Sequence, residues 1–282
     1  MSRILVNGAE DTCIDVRDRG FQYGDGVFET IAFQNNQLQL WDEHMQRMQL
    51  ACQRLSLPMI DEAVWLADLG KLSLQQDAVI KLSISRGISG RGYAYDQSDG
   101  APDSVTRVAA VNPWPNYAEA NQQGVTARFC KTPVSMNPSL AGIKHLNRLD
   151  NVLARNEWHD SQITEGFMLD SQQHVIEGTM SNVFCVLGNE LYTPLLEQSG
   201  VAGVMREQLV NVAKKIDIPV NVIEISKQNF IQMDEIFITN SVIGLWPVKK
   251  IIDGDVVTEL SRNDLTEKLQ KALYQSIKGK SL

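Results

Sequence analysis

The chain has no long hydrophobic run. Nothing in its 282 residues approaches the roughly 18 consecutive apolar residues of a membrane helix. The opening MSRILVNGAED turns polar too early for a secretory apolar core. Cysteine is scarce: Cys13, Cys52, Cys130 and Cys185 stand far apart, with no CxxC pair and no zinc spacing. His44, His145, His159 and His174 form no HxxxH pattern. These absences lead to the expectation of a cytoplasmic protein with reduced thiols, no metal and no membrane partner. An excess of positive charge is missing too. Lys and Arg number 26 against 34 Asp and Glu, a net charge of −8. A polyanion is repelled on average, so no nucleic-acid partner is expected. There is no GxxxxGK[ST] and no GxSxG, and Gly87, Gly90 and Gly92 do not make GxGxxG. Hydrolase, nucleotide-binding and dehydrogenase readings lose their usual support.

What is present is ordinary globular material, 43% hydrophobic and 21% charged. The length suits one large domain or two smaller ones. Residues 4–7, 27–33 and 37–41 read as strands, with Asn35-Asn36 as the turn between the last two. Met45, Met48, Cys52 and Leu55 then recur at helical spacing after Asp42 and Glu43, acids that suit the positive end of a helix. A second helix is expected over 62–72, and strands over 78–85 and 106–111. Two prolines and a polar tail make 112–123 a linker. Beyond it come a strand at 125–130, a helix at 147–159, and strands at 167–170, 175–178, 182–187 and 190–192. Helices at 204–216 and 263–276 follow. The expected architecture is α/β (α+β): a smaller N-terminal domain at 1–111 and a larger C-terminal domain at 124–282. Its sheets are mixed and largely antiparallel, not the regular alternation of a doubly wound fold.

Four segments hold the chemistry: DRGFQYGDGVFET from Asp18, GIKHLNRLDNVLARNEW from Gly142, EGTMSNVF from Glu177, and GVMRE from Gly203 with ITNSVIGLWPV from Ile238. In this order and spacing they resemble the fold-type IV pyridoxal-phosphate enzymes. That family includes D-amino-acid and branched-chain transaminases and aminodeoxychorismate lyases. The resemblance runs from about residue 3 to 250. GIKHLNRL, preceded by the GRGY of Gly90 to Tyr93, looks like the lyase branch.

The resemblance implies pyridoxal 5'-phosphate as cofactor, and each expected site residue has a physical reason. Lys144 supplies the amine that forms a Schiff base with the cofactor aldehyde and then moves protons. Glu177, 33 residues later, matches the family's carboxylate that keeps the pyridine nitrogen protonated. The phosphate needs donors. The amides of Val204 and Met205 open a helix, and Asn240, Ser241 and Val242 offer a second cradle. Arg47 matches an arginine that the family sets against that phosphate; the other reading is an exposed helical cation. His44 beside it reads as structural. Arg91 and Tyr93 match an RxH pair that binds substrate carboxylate in the D-amino-acid transaminases. Arg91 keeps the planar donor fork. Tyr93 in place of histidine points to a changed substrate, the other reading being that both residues order a Gly-rich loop. Phe28 stands where the transaminases usually have tyrosine.

The resemblance therefore implies lysis of 4-amino-4-deoxychorismate to 4-aminobenzoate and pyruvate, which feeds folate synthesis. D-amino-acid or branched-chain transamination is the alternative, and a non-catalytic binding protein a more distant one. A homodimer with the loop from Arg86 to Tyr93 reaching the partner's site is implied as well.

Overall fold

The computed structural model describes residues 3–74, 76–90, 92–95, 104–261, 264–277 and 279–281. Contacts divide the chain into two units. One holds Met1–Asn116, Ile143–Asn147 and Lys278–Leu282; the other holds Tyr117–Gly142 and Arg148–Ile277. The expected boundary lay at 111 to 124. The first unit instead keeps residues to Asn116 and gains the five-residue segment around Lys144, because that segment pairs with a strand of its sheet.

In the first unit, β1 (Arg3–Val6), β2 (Ala9–Glu10), β3 (Gly26–Gln34), β4 (Gln37–Gln39), β5 (Ala78–Ser85) and β6 (Thr106–Pro113) join a C-terminal strand, Gly279–Ser281, in a seven-stranded sheet. Asn35 and Asn36 both take positive φ, 53° and 58°, which closes the β3–β4 hairpin with a twist that matches its strands. Helix α1 (Arg19–Tyr23) is too short to show a period in the sequence. It is defined by its ends: the Asp18 side chain accepts from the N–H groups of Gly20 and Phe21, and Gly24 ends it at φ 67°. Helices α2 (Trp41–Leu55) and α3 (Glu62–Lys71) complete the unit. Trp41, Met48, Cys52, Trp65 and Leu69 from these helices form one core with Ile31, Ile80 and Leu82 of the sheet. Each such side chain contributes about 1.5–3 kcal/mol by leaving water. The strand expected over 37–41 stops at Gln39, because Trp41 already opens α2. Asn112 and Pro113, expected in the linker, extend β6, where Pro113 sits opposite Ala78 at the strand end.

The second unit contains β7 (Val125–Phe129), α4 (Leu149–Arg155), β8 (Ile163–Leu169), β9 (Val175–Gly178), β10 (Asn182–Leu187), β11 (Glu190–Pro194), α5 (Val204–Lys215), β12 (Val220–Ile223), α6 (Lys227–Phe230), β13 (Glu235–Asn240), β14 (Gly244–Asp253), β15 (Val256–Glu259) and α7 (Asp264–Ser276). Its nine-stranded sheet runs β12-β11-β10-β13-β14-β7-β8-β9, with β15 on β14. Pairs β11–β12, β14–β7 and β7–β8 are parallel and the others antiparallel, so the sheet is mixed. Phe129, Phe167 and Phe230 pack edge to face or tilted, with centroids 5.0–6.1 Å apart. The helix expected over 147–159 spans only Leu149–Arg155. It ends where Glu157 turns its carboxylate to the N–H groups of Lys131 and Thr132. The helix expected over 263–276 is α7, and its start is held by Glu235, which accepts from the N–H groups of Leu265 and Thr266 and from the Thr266 hydroxyl.

Strand alternation sends Glu29 of β3 into the α2 side of its sheet. There it is buried against Arg47, which donates from Nε at 2.8 Å and also from Nη2, and against His44 Nδ1 at 2.6 Å. Burial alone raises the Glu29 pKa. The Arg47 charge and the His44 hydrogen bond outweigh it and hold the carboxyl at about 2, against an ordinary 4.5. Burial also lowers the His44 pKa from 6.5. Both groups resist protons in the folded state, so their stabilisation is present at neutral pH. It is lost as pH falls, first below 6.5 for His44 and then from 4.5 through about 2 for Glu29. Melting temperature measured against pH is therefore expected to drop along that descent. In Glu29→Gln the lower limb flattens, while stability at pH 7 falls by about 3–5 kcal/mol, because Arg47 loses its buried partner.

Candidate active site

Lys144 lies in the first unit on a short segment that pairs with β3. Its carbonyl accepts the Phe28 N–H at 2.9 Å, Leu146 N–H bonds the Gly26 carbonyl at 2.9 Å, and His145 bridges Val27. Gly26 is required beside this segment: a Cβ there would stand 2.3 Å from the Ile84 carbonyl and 2.6 Å from the Leu146 side chain. The backbone bonds deliver the half-buried Lys144 amine onto the face of Phe28, with Nζ 4.5 Å from the ring centroid. Lys81 of β5 stands over the same ring at 4.8 Å. Phe28 and Lys81 are on the sheet face opposite the Glu29 side, as the period of two requires. Arg47 has two of its nitrogens on Glu29, so the expected phosphate ligand is first of all a partner of that carboxylate.

The loop that holds Tyr93 is fixed by its backbone. Arg19 is buried, donates to Asp25 at 2.9 Å, and points its other nitrogens at the carbonyls of Gly92 and Tyr93 at 2.8 and 2.9 Å. Arg86 shares Asp25 and lies 3.7 Å over the Tyr95 ring. The Tyr93 side chain is 86% exposed, with its ring 5.5 Å from that of Tyr23. Arg91 lies outside the described residues.

In the second unit Glu177 is the penultimate residue of β9 and is buried. Its Oε2 accepts the Val201 N–H at 2.8 Å. Asn182, at the start of β10, donates to the Val201 carbonyl at 2.8 Å. Val201 precedes Ala202 and Gly203, and Gly203 is the N-cap of α5. No side chain caps this helix, so the first-turn N–H groups, those of Val204 and Met205 among them, have no intrahelical acceptor. A Cβ on Gly203 would lie 1.9 Å from Asn182 Oδ1. The Arg148 guanidinium is in the electrostatic field of Glu177. Burial lowers its pKa, and the carboxylates of Glu177 and Asp150 oppose that. The turn after β13 closes on itself: Asn240 Oδ1 accepts the N–H groups of Val242 and Ile243 at 2.8 and 2.9 Å. The Val242 amide, expected to face a phosphate, is thus bonded within its own turn, and the half-buried Ser241 is the turn's remaining expected donor.

Sequence reasoning missed Lys81, Asn182 and Glu165. Lys81 and Glu165 share one signal, each being the lone charged residue of its strand.

The amino-transferase class IV family model matches residues 26–251, and the chain belongs to this family. Its fold is that of the fold-type IV enzymes and its cofactor is pyridoxal phosphate. Within the family the chain is 34% identical to the aminodeoxychorismate lyase of Vibrio harveyi, over 94% of this chain and 97% of that one. The structure of 4-amino-4-deoxychorismate lyase from Pseudomonas aeruginosa superposes with a TM-score of 0.87 at 39% identity, covering 96% of this chain and 98% of that one. The D-alanine aminotransferase of Listeria monocytogenes is 27% identical over 98% and 96% of the two chains.

The residues fit the cofactor. A half-buried amine on an aromatic face suits its aldehyde, a buried carboxylate suits its pyridine nitrogen, and an uncapped helix start suits its phosphate. Gly203→Ala forces the start of α5 away from Asn182. A roughly tenfold or greater loss of pyridoxal-phosphate affinity is expected when apo-protein is titrated, and unchanged affinity would remove α5 from the phosphate site.

Proposed function

We propose that this protein converts 4-amino-4-deoxychorismate into 4-aminobenzoate and pyruvate. The observation that carries the reading is its greater likeness, over almost the full chain, to the lyases of Vibrio harveyi and Pseudomonas aeruginosa than to the D-alanine aminotransferase. The Lys144 amine on the Phe28 face adds a chemical reason.

Bound pyridoxal phosphate supplies an electron sink for the carbon that bears the substrate's amine. Lys144 Nζ takes the proton from C4 of the substrate. The bond from C3 to the enolpyruvyl oxygen breaks, and Nζ returns a proton to the methylene carbon of the departing group. The two products hold every atom of the substrate, so neither water nor an oxidant is consumed, and aromatisation of the ring drives the step. Glu177 holds a proton at the cofactor's pyridine nitrogen. The N–H groups of Val204 and Met205 hold its phosphate, supported by Ser241 and by Arg47 beyond its Glu29 contacts. Lys81, with Arg91 and Tyr93, recognises the two substrate carboxylates. The 4-aminobenzoate formed feeds folate synthesis.

The protein acts as a cytoplasmic homodimer. The support is an apolar surface on α4, where Leu149, Val152 and Leu153 are exposed, together with exposed Met180 on a turn that α4 touches through Asn151. No helix among the described residues is long and apolar enough to cross a membrane.

Purified protein loaded with cofactor is expected to release pyruvate from aminodeoxychorismate, and Lys144→Ala to lower turnover by about three orders of magnitude or more. Lys81→Gln is expected to raise KM by about tenfold with a smaller change in kcat. Faster amino-group exchange between an amino acid and a keto acid than lysis would make the protein a transaminase instead. Sedimentation equilibrium is expected to give twice the 31.5 kDa chain mass; a particle of single-chain mass would end the dimer assignment.

A further inference from the structure

Glu165 lies on β8, is fully buried, and takes five neutral donors. Its Oε1 accepts from the N–H groups of Gly166 and Thr179, at 2.8 and 2.9 Å, and from the Thr179 hydroxyl. Its Oε2 accepts from the Ser181 hydroxyl at 2.7 Å and the Met180 N–H at 3.3 Å. Thr179, Met180 and Ser181 are the whole of the connection between β9 and β10. The carboxylate also lies directly under Gly178, where a Cβ would come within 2.8 Å of it. A buried carboxylate costs several kcal/mol to desolvate. Apolar residues close a strand connection without that cost, so stability of the hairpin is a poor reason for Glu165.

The position of the turn gives a better reason. Glu177 stands one residue before it, separated only by Gly178, and Asn182 immediately follows it. These two side chains take the N–H and the carbonyl of Val201, two residues before the N-cap of α5. One rigid turn thus sets the spacing of the two side chains that hold the entry to the helix, and it aims Glu177 at the same time. We propose that Glu165 is a positioning residue that fixes the ring-nitrogen and phosphate ends of the cofactor site together. The inference rests on the cofactor roles assigned above to Glu177 and to the start of α5.

The test uses apo-protein titrated separately with pyridoxal phosphate, with pyridoxal, which has no phosphate, and with inorganic phosphate. Glu165→Ala leaves all five donors without their acceptor and is expected to weaken all three ligands, pyridoxal phosphate by about tenfold or more. Glu165→Gln keeps one oxygen and is expected to give a smaller rise, about threefold. Ser181→Ala and Thr179→Val remove one donor each, and a rise in both partial-ligand Kd values supports the proposal even if Glu165→Ala does not fold. Variants that melt earlier yet bind all three ligands within about twofold of the parent overturn it. Glu177→Gln is the reference for the ring end. If it leaves pyridoxal binding unchanged while Glu165→Ala weakens phosphate alone, the role given to Glu177 has failed and the coupling fails with it.

Discussion

Both polar groups of one backbone residue, Val201, are held by side chains from the two ends of one turn. Glu177 accepts its N–H and Asn182 donates to its carbonyl. A phosphate site made of helix-start amides is only as well placed as the residues that lead into the helix. Those residues lie in a loop, where the backbone ladder is reduced to one bridge, between Val201 and Gly142. Holding Val201 from both sides adds two side-chain hydrogen bonds of 2.8 Å to that bridge. The close fit continues to Gly203, where any side chain would collide with Asn182. The buried Glu177 carboxylate thus has a structural task, its Oε2 holding the loop, beside the cofactor role proposed for it above.

In the first unit the organising constraint is the period of two along β3. Phe28 and Glu29 are neighbours in sequence and face opposite sides of the sheet. Phe28 receives the Lys144 amine, while Glu29 anchors Arg47 and His44 of α2 in the core. A slip of one residue would exchange the two and bury a cation–aromatic contact where a carboxylate is needed. The slip is blocked on both edges of the strand: β5 pairs with it along its length, and the Lys144 segment bonds it at Gly26 and Phe28.

Strong periodic signals were legible in the sequence. Strands β5, β9 and β10 match their expected bounds residue for residue, and α2 and α5 begin where acids and glycine announced them. What was not legible depends on contacts distant in sequence. Helix α1 has five residues and is defined by its caps. The expected 13-residue helix after Lys144 is cut to seven because its two ends belong to other partners: Ile143–Asn147 joins the first unit's sheet, and Glu157 caps the loop at Lys131. The roles of Glu165 and Asn182 come from a turn that sequence alone shows only as GTMS. Motif spacing pointed to Lys144 and Glu177, but it held no trace of the residues that aim them.

The cofactor alone permits both elimination and amino-group transfer, so the loops around it must choose. Among the described residues the loop that carries Tyr93, proposed above to meet the substrate, is held by the Arg19–Asp25–Arg86 cluster. Asp25 sits between two buried guanidinium groups, and their hydrogen bonds outweigh burial to keep its pKa low. The guanidinium groups reach out from it to backbone carbonyls, Arg19 to those of Gly92 and Tyr93, and Arg86 to those of Leu55 and Ser56. Because the grip is on the backbone, no side chain of the Gly92–Tyr93 stretch is needed to order it. The Tyr93 side chain is 86% exposed with its ring beside that of Tyr23, which under the proposed function leaves it to meet the substrate. A loop held through its carbonyls can change its side chains, and with them what it recognises, without losing its order.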